Sequence, residues 1–226
     1  TARNILEEIV DAAEIESGVI EVGPGFGVLT SELAQNSDKV VTIEIDERLI
    51  DVLDYTLAEY DNVKIINEDI LKLDLTKVID DEFNGEKVSI AANLPYYITT
   101  PIITKLLEEK LPIKNIVVMV QKEVAERMSA KPSTKDYGAI TVLCQYYTEP
   151  SIVANVPASL FVPPPKVDSA VLKLKVLDKP SVEVKDEGVF FRVVKAAFSQ
   201  RRKTLLNCLS ANFPIPKDEI STLLES

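Results

Sequence analysis

The stretch Gly18-Val19-Ile20-Glu21-Val22-Gly23-Pro24-Gly25-Phe26-Gly27 decides the fold, because it joins a short apolar run to a turn with three glycines. Residues 28–34 then start a helix. A strand, a glycine turn and a helix in this order are typical of nucleotide-type ligand sites, where glycine lets the backbone approach the ligand closely. We predict a ligand against Glu21, Gly23 and Gly25. The alternative is a tight turn in some other doubly wound protein.

The rest of the first 130 residues continues this alternation of strands and helices. A helix is predicted over 4–13, strands over 39–46, 63–69, 88–91 and 115–121, and helices over 49–57, from 99 onward and over 122–128. Residues 70–87 are interpreted as a polar connection, and Gly27 as the residue that lets its helix pack tightly on the first strand. Continuous apolar strands favour an α/β sheet covered on both faces, with the ligand at the carboxyl ends of the strands.

The predicted second and third strands end in carboxylates. Glu44 comes 19 positions after Gly25, a distance that suits a carboxylate accepting hydrogen bonds from both hydroxyls of a ribose. This feature is common to sites for NAD and for S-adenosylmethionine. Asp69 ends the third strand, while Asp46, Glu47 and Glu68 are interpreted as solvated or helix-capping residues.

Chemistry is predicted at Asn93-Leu94-Pro95-Tyr96, after the fourth strand. The Asn93 side-chain oxygen and the Leu94 carbonyl can each accept one hydrogen of an exocyclic amine. Pro95 stiffens the turn, and Tyr96 offers a flat face on which a base can stack. The alternative is a strand-to-helix loop with a turn-forming asparagine and a filling tyrosine.

These four residues resemble the catalytic tetrapeptide of S-adenosylmethionine-dependent adenine-N6 methyltransferases, and specifically that of the KsgA-type ribosomal RNA adenine-N6,N6-dimethyltransferase family. The segment Phe161-Val162-Pro163-Pro164-Pro165-Lys166-Val167 resembles the second signature of that family, Phe-x-Pro-x-Pro-Lys-Val. The resemblance implies a Rossmann-like class I methyltransferase sheet. It also implies that Asp69 reads the adenine amino group of the donor, and that Phe161 faces Tyr96 as a second aromatic wall. Phe161 could instead be a core residue.

Charge is distributed unevenly along the 226 residues. Residues 1–100 contain 7 basic and 22 acidic side chains, which gives a net charge of −15. Residues 101–226 contain 18 basic and 14 acidic side chains, which gives a net charge of +4. The basic half could meet RNA phosphates. The candidate contacts are Lys131, Lys135, Lys166, Arg201, Arg202 and Lys203, the last three predicted on a helix. The alternatives are an ordinary solvated surface, or arginines paired with Asp186 and Glu187.

We predict two domains. Residues 1–178 form a methyltransferase domain, and residues 179–226 form a partial carboxyl-terminal helical RNA-binding domain. In the second part an apolar helical stripe is expected in the core: Val189, Phe190, Val193, Val194, Ala197 and Phe198. The resembling family has a longer helical domain and a segment ahead of Asn4 that helps cover the donor. We therefore expect that this is a partial chain.

Several classes of protein are disfavoured by composition. There is no apolar run of membrane-spanning length and no signal-peptide layout at the first residue, so a cytoplasmic, membrane-free protein is expected. The chain has no histidine, and Cys144 and Cys208 form no metal-binding pair, so neither a metal site nor a disulfide framework is expected.

The resemblance implies transfer of methyl groups from S-adenosylmethionine to N6 of two adjacent adenosines in small-subunit (16S) ribosomal RNA, with S-adenosylhomocysteine as product. The implied partner is the immature 30S subunit, bound by a monomer. Three alternatives stay open: the sister family that dimethylates large-subunit RNA and confers macrolide resistance, a non-catalytic small-subunit assembly factor, and a small-molecule methyltransferase. The acidic net charge disfavours the first, the complete tetrapeptide the second, and the basic second half the third.

Overall fold

The computed structural model describes residues 2–161 and 163–225, so Thr1, Val162 of the proline-rich signature and Ser226 lie outside the described residues. Seven strands are present in these ranges: β1 (Gly18–Val22), β2 (Lys39–Glu44), β3 (Val63–Asn67), β4 (Val88–Asn93), β5 (Ile113–Gln121), β6 (Thr148–Val156) and β7 (Ser169–Val176). The α-helices are α1 (Ala2–Ala13), α2 (Val28–Gln35), α3 (Ile50–Thr56), α4 (Leu75–Phe83), α5 (Thr99–Glu108), α6 (Lys122–Met128), α7 (Ala139–Tyr147), α8 (Glu187–Ala197), α9 (Leu205–Asn212) and α10 (Lys217–Glu225).

The strands form one mixed sheet in the order β3-β2-β1-β4-β5-β7-β6. The first five run parallel, and β7 is antiparallel to both of its neighbours. The order reverses between β1 and β4, which is where an open parallel sheet leaves a crevice at the carboxyl ends of its strands. The predicted doubly wound α/β sheet is confirmed.

Apolar side chains cover the sheet on both faces. On one face α1 and α2 bury Ile9 and Leu33 in a cluster with Val19 of β1. On the other face Ile79 of α4 and Ile103 of α5 join the cluster around the central strands. Because both faces are covered, β1 is buried along its whole length, which explains why Glu21 is its only charged residue.

The prediction of a polar connection over residues 70–87 is wrong, because helix α4 occupies Leu75–Phe83. Its buried residues are spaced as on one face of a helix: Leu75, Val78, Ile79 and Phe83. Five charged or polar residues between them mask this spacing in the sequence. Asp74 begins the helix, because its carboxylate accepts a hydrogen bond from the Lys77 backbone amide at 3.0 Å. Asn84 ends it in a left-handed conformation.

Gly27 allows the start of α2 to pack closely on the α3 region. The sequence predicts a close contact with the first strand instead. The φ of Gly27 is +83°, and an added Cβ would lie 3.2 Å from side-chain atoms of Thr56 and Leu57. Those residues are at the end of α3 and just beyond it. The close approach therefore joins the start of α2 to the α3 region, and the left-handed backbone there favours glycine.

The carboxyl-terminal prediction needs two corrections. Of the six stripe residues expected in the core, Val194 is buried, whereas Val189, Val193 and Phe198 are exposed. Helix α8 instead buries Ala196 against α9 and α10, and places Phe190 and Phe191 within 5.2 Å, centroid to centroid, of the Tyr146 ring. The cations Arg201, Arg202 and Lys203 lie in the turn between α8 and α9, not on a helix, because α8 has already ended at Ala197.

The predicted boundary at residue 178 stays a prediction, since α8 packs on α7 as well as on α9. None of the helices in the described ranges is long and apolar enough to cross a membrane.

We expect Asp74→Ala to destabilise the protein by about 1 kcal/mol, because it removes the side-chain cap of α4 and leaves the Lys77 amide without an acceptor. Urea denaturation followed by circular dichroism measures the change. Asp81→Ala is the matched control, since Asp81 is an exposed carboxylate within the same helix, and it should change stability by less than about 0.5 kcal/mol. Equal effects of the two variants would contradict the capping role.

Candidate active site

A cavity of about 690 Å³ opens at the carboxyl ends of β1, β2 and β4. The glycine turn after β1 forms its floor with Gly23 and Gly25, whose φ values of +70° and +58° place them in the left-handed region. The acceptor residues after β4 form one wall, and the residues after β2 form another. The cavity thus lies where the sequence placed the ligand.

The charged residues that line this cavity all carry the same sign. Four are acidic, Glu21, Glu44, Asp46 and Glu68, and none of the described lining residues is basic. An anionic pyrophosphate would be repelled by these carboxylates, whereas a cationic ligand would be attracted. The acidic lining therefore favours a cationic ligand over an anionic one.

Glu21 is the most deeply buried of these acids, with 1% of its surface exposed. One carboxylate oxygen, Oε2, accepts hydrogen bonds from the Thr30 hydroxyl at 2.5 Å and the Thr42 hydroxyl at 3.1 Å. Burial raises the pKa of Glu21 to about 7, against the two hydroxyl hydrogen bonds that lower it. A cation bound beside Glu21 would favour its ionised form.

Glu44 is held in place at the end of β2. Its Oε1 accepts a hydrogen bond from the Asp46 backbone amide at 2.9 Å, and its own carbonyl accepts from the Asn67 side chain at 2.8 Å. Asp46 pairs with Arg48, which lowers the pKa of Asp46 to about 2. The second oxygen of Glu44 is left for a ligand, as a ribose diol requires.

The structure places Asp69 next to the cavity but not on its wall, where the neighbours Glu68 and Ile70 lie. Its Oδ1 accepts a hydrogen bond from the Leu71 amide at 3.0 Å, and its Oδ2 is 3.8 Å from the ammonium group of Lys72. Glu68, which sequence reasoning assigned to solvent or capping, faces the cavity. The adenine-reading role of Asp69 stays a prediction.

The turn after β4 leaves two acceptors without a protein partner. The Pro95 carbonyl accepts from the Ile98 amide at 3.2 Å and from the Thr99 hydroxyl at 3.3 Å, which fixes the turn. Within the described ranges, neither the Asn93 side chain nor the Leu94 carbonyl makes a hydrogen bond. Both residues line the cavity. Both acceptors are therefore open to a ligand in the part of the chain that the structure describes, and their role towards an amine stays a prediction.

The two predicted aromatic walls are in different environments. Tyr96 is 37% exposed, and its hydroxyl lies 3.0 Å from that of Ser169 at the start of β7. Phe161 lines the cavity and packs at the edge of the cluster beneath α1. Tyr96 itself is absent from the described lining residues, whereas the next residue, Tyr97, is among them. The stacking pair therefore stays a prediction.

Two features of the site were missed by sequence reasoning. Helix α1 forms part of the cavity wall through Ile5, Leu6 and Ile9, although its amphipathic pattern indicated only core. Asp168 closes the proline-rich loop, because its carboxylate accepts from the Ala158 amide at 2.9 Å while its carbonyl accepts from the Lys122 amide at 3.0 Å. Only the position of Asp168 at the end of the loop signals this role.

The predicted RNA contacts are separated into two groups by the structure. Lys135 and Arg201 line a second groove of about 580 Å³ between α5, α6 and α8, together with Arg127 and Lys195. Three carboxylates also line it: Glu108, Glu123 and Asp136. Lys131, Lys166, Arg202 and Lys203 are exposed outside it. RNA contact by any of the six stays a prediction.

The structure does not contain the alternative ion pairs of Arg201 and Arg202 with Asp186 and Glu187. Glu187 pairs with Lys110 at 2.6 Å, which lowers the pKa of Glu187. The Asp186 carboxylate accepts from the Val189 amide at 2.9 Å to cap α8.

Among the residues that the structure describes, no group of three or more His, Cys, Asp or Glu is arranged to hold a metal.

Comparisons with known proteins point to one family. A family model described as Ribosomal RNA adenine dimethylase matches residues 1–223. The Ribosomal RNA small subunit methyltransferase A of Bacillus mycoides (strain KBAB4) is 55% identical over 227 aligned residues, which cover 98% of this chain and 78% of that protein.

Two solved structures have the same fold over nearly the whole chain. A dimethyladenosine transferase from Plasmodium falciparum is 31% identical with a TM-score of 0.75, covering 98% of this chain and 86% of that one. The 23S rRNA methyltransferase ErmE is 28% identical with a TM-score of 0.74, covering 99% and 87%.

The raised pKa of Glu21 predicts a pH-dependent stability. Between about pH 4.5 and 7 the unfolded chain ionises this group while the folded chain keeps it protonated. The folded state then binds more protons, so its stability falls as the pH rises. Glu21→Gln should abolish this fall, which lowers the free energy of unfolding by about 3 kcal/mol at most.

Thermal melts of the two proteins from pH 5 to pH 8 measure the difference. Glu59→Gln, a change at an exposed carboxylate, is the control and should follow the unmodified chain at every pH. Parallel melting curves for the unmodified chain and Glu21→Gln would show that Glu21 does not titrate in this window.

Proposed function

The chain belongs to the ribosomal RNA adenine dimethylase family, and we propose that it transfers methyl groups from S-adenosylmethionine to N6 of two adjacent adenosines in small-subunit ribosomal RNA. The products are N6,N6-dimethyladenosine and S-adenosylhomocysteine. The observation that carries the proposal is the 55% identity to a small-subunit methyltransferase over almost the entire chain. The free acceptor pair beside an acidic cavity supports the chemistry.

The residues of the cavity suit S-adenosylmethionine. Its sulfonium and ammonium groups are cationic, and Glu21, Glu44, Asp46 and Glu68 are the charged residues available to them. Glu44 has the free oxygen that a ribose diol needs, and Gly23 and Gly25 allow close approach of the backbone. When bound, this ligand supplies an already activated methyl group, so the protein has to align the acceptor nitrogen rather than activate the donor.

Asn93 and Leu94 perform that alignment in our proposal. The Asn93 Oδ1 and the Leu94 carbonyl each accept one hydrogen of the adenine amino group. Two hydrogen bonds on the same side of the nitrogen favour a tetrahedral geometry, in which its lone pair is no longer delocalised into the ring. Such fixed dipoles and orientation contribute several kcal/mol to lowering a barrier. No general base is needed before transfer, because the nitrogen loses its proton more readily once it is cationic.

The target adenosine has to leave its stack to reach these acceptors, which costs a few kcal/mol. We propose that Tyr96 and Phe161 offset part of this cost by stacking on the extruded base. The hydrogen bond between the hydroxyls of Tyr96 and Ser169 supports this role, because it limits the rotation of the tyrosine ring. Asp168 supports the backbone before Phe161, because its carboxylate accepts from the Ala158 amide and the Ala158 carbonyl accepts from the Phe161 amide at 3.2 Å.

The large-subunit alternative is not favoured by the sequence comparison. Overall shape does not decide the substrate, since the TM-scores to the dimethyladenosine transferase and to ErmE, 0.75 and 0.74, are almost equal. Identity favours the small-subunit substrate, because 28% to ErmE is about half of the 55% to the small-subunit enzyme. A purely structural assembly role would not require the free acceptors of Asn93 and Leu94.

We propose that the protein is a monomer in the cytoplasm and that its partner is the immature 30S subunit. Lys131, Lys135, Lys166, Arg201, Arg202 and Lys203 are proposed to contact its phosphates, and residues 179–226 to form part of the RNA-binding domain. The support is the positive charge of residues 101–226, which contrasts with the acidic first hundred residues.

Asn93→Ala tests the chemistry directly. We expect methyl transfer to small subunits lacking the two modified adenosines to fall by about 10²-fold or more, as when one preorganised polar group is lost. Calorimetry should show unchanged affinity for S-adenosylmethionine. Asn36→Ala, which removes an amide at the exposed end of α2, is the control and should retain full activity. Transfer by Asn93→Ala at more than a tenth of the normal rate would contradict the two-acceptor mechanism.

The double variant Arg201→Ala/Arg202→Ala tests the RNA contacts. We expect weaker RNA binding and a smaller slope of log affinity against log salt, by roughly 0.7 to 0.9 for each lost phosphate contact. Filter binding across a salt series measures the slope. Lys77→Ala/Lys175→Ala is the matched control, because it removes the same charge from exposed positions that lie outside both cavities and outside residues 179–226. An unchanged slope for the arginine variant, or an equal change in the control, would count against specific contacts.

A further inference from the structure

Tyr97 is the one aromatic residue beside the acceptor pair that the mechanism above does not use. Its side chain is 86% exposed, and it lies on the rim of the donor cavity. No hydrogen bond or ring contact with another described residue holds it. Tyr96, by contrast, is held through its hydroxyl by Ser169. Two consecutive tyrosines thus differ sharply in how much of each ring is open to a ligand.

The position of Tyr97 at the start of α5 is informative, because α5 separates two concave surfaces. Ile98 and Ile102 line the donor cavity, whereas Thr100 and Thr104 line the groove that contains Arg127, Lys135, Lys195 and Arg201. The first turn of α5 is therefore a ridge between the two. Tyr97, two residues before the first residue of that helix, lies where the ridge meets the mouth of the cavity.

Consider an RNA strand that places one base in the cavity and its phosphates against the four cations of the groove. Such a strand has to cross this ridge. The base next to the target then lies above the first turn of α5. An exposed aromatic ring stacks on any base, because every base has a π-face. We propose that Tyr97 is a positioning residue, on which the nucleotide that flanks the target adenosine stacks. The inference rests on the proposed function, since it takes RNA as the substrate.

A substrate with two adjacent adenosines suits this arrangement. Consecutive Cα atoms are about 3.8 Å apart, so Tyr96 and Tyr97 present their rings from neighbouring points of the chain. While one adenosine is held at Asn93, the other can stack on Tyr97.

Steady-state methyl transfer to small subunits that lack the two modified adenosines tests the proposal. Tyr97→Ala should lower kcat/KM about tenfold, mainly through a higher KM, because one base–aromatic stack is lost. Tyr97→Phe keeps the ring and should stay within about twofold of the unmodified chain. Tyr55→Ala is the matched control, since Tyr55 on α3 is equally exposed, at 86%, and lines neither cavity.

Calorimetry with S-adenosylmethionine separates RNA stacking from donor contact. We expect the same donor affinity in all four proteins. A Tyr97→Ala variant with kcat/KM within twofold of the unmodified chain would overturn the proposal. So would a loss of donor affinity as large as the loss of kcat/KM, because Tyr97 would then contact the donor.

A binding measurement keeps this inference separate from the proposed function. Fluorescence anisotropy with a labelled single-stranded oligoadenosine RNA requires no methyl transfer. Tyr97→Ala should bind this RNA more weakly than Tyr97→Phe and Tyr55→Ala. If the unmodified chain fails to methylate small subunits, the proposed function fails, and the anisotropy comparison still decides the role of Tyr97. Equal binding by Tyr97→Ala and Tyr97→Phe would refute stacking.

Discussion

The parallel pairing of β1 with both β2 and β4 is the interaction on which the site depends. Val22 of β1 is in register with Ile43 of β2 and with Ala92 of β4. The next residues along the chain are Gly23, Glu44 and Asn93, so the three that line the cavity all lie at one level of the sheet. Neighbouring strands are about 4.8 Å apart, and a slip of one residue would turn Glu44 or Asn93 to the other face.

The register explains why so much of the site could be predicted from sequence. Parallel strands end at one edge, so residues at or next to their carboxyl ends converge even when they are far apart in the chain. Glu21, Gly23, Glu44 and Asn93 all line the cavity for this reason. Residues one or two positions further along are less constrained. Asp69 turns to cap its own loop, while Glu68 takes the place on the wall.

Two of the helices were predicted less well than the strands. Helix α4 was missed because charged residues separate its four buried positions, and its cap at Asp74 is a single side chain. The stripe on α8 was assigned to the core because periodicity identifies an apolar face but not what covers it. In the structure the rings of Tyr146 and Tyr147 pack on Phe190 and Phe191, and that contact sets the rotation of the helix.

The uneven charge of the chain follows from the two ligands that the proposed function requires. Carboxylates around the cavity attract a cation more strongly than a neutral molecule of similar shape, which favours the charged donor over its uncharged-sulfur product. The same carboxylates repel RNA, whose phosphates are also negative. Screening limits this repulsion to about 8–10 Å at moderate salt, so basic residues beyond that distance can still hold the RNA backbone. Only the extruded base, which carries no charge, needs to enter the acidic region. The amine acceptors suit that division, because Asn93 and the Leu94 carbonyl bind through dipoles and add no further charge to the cavity.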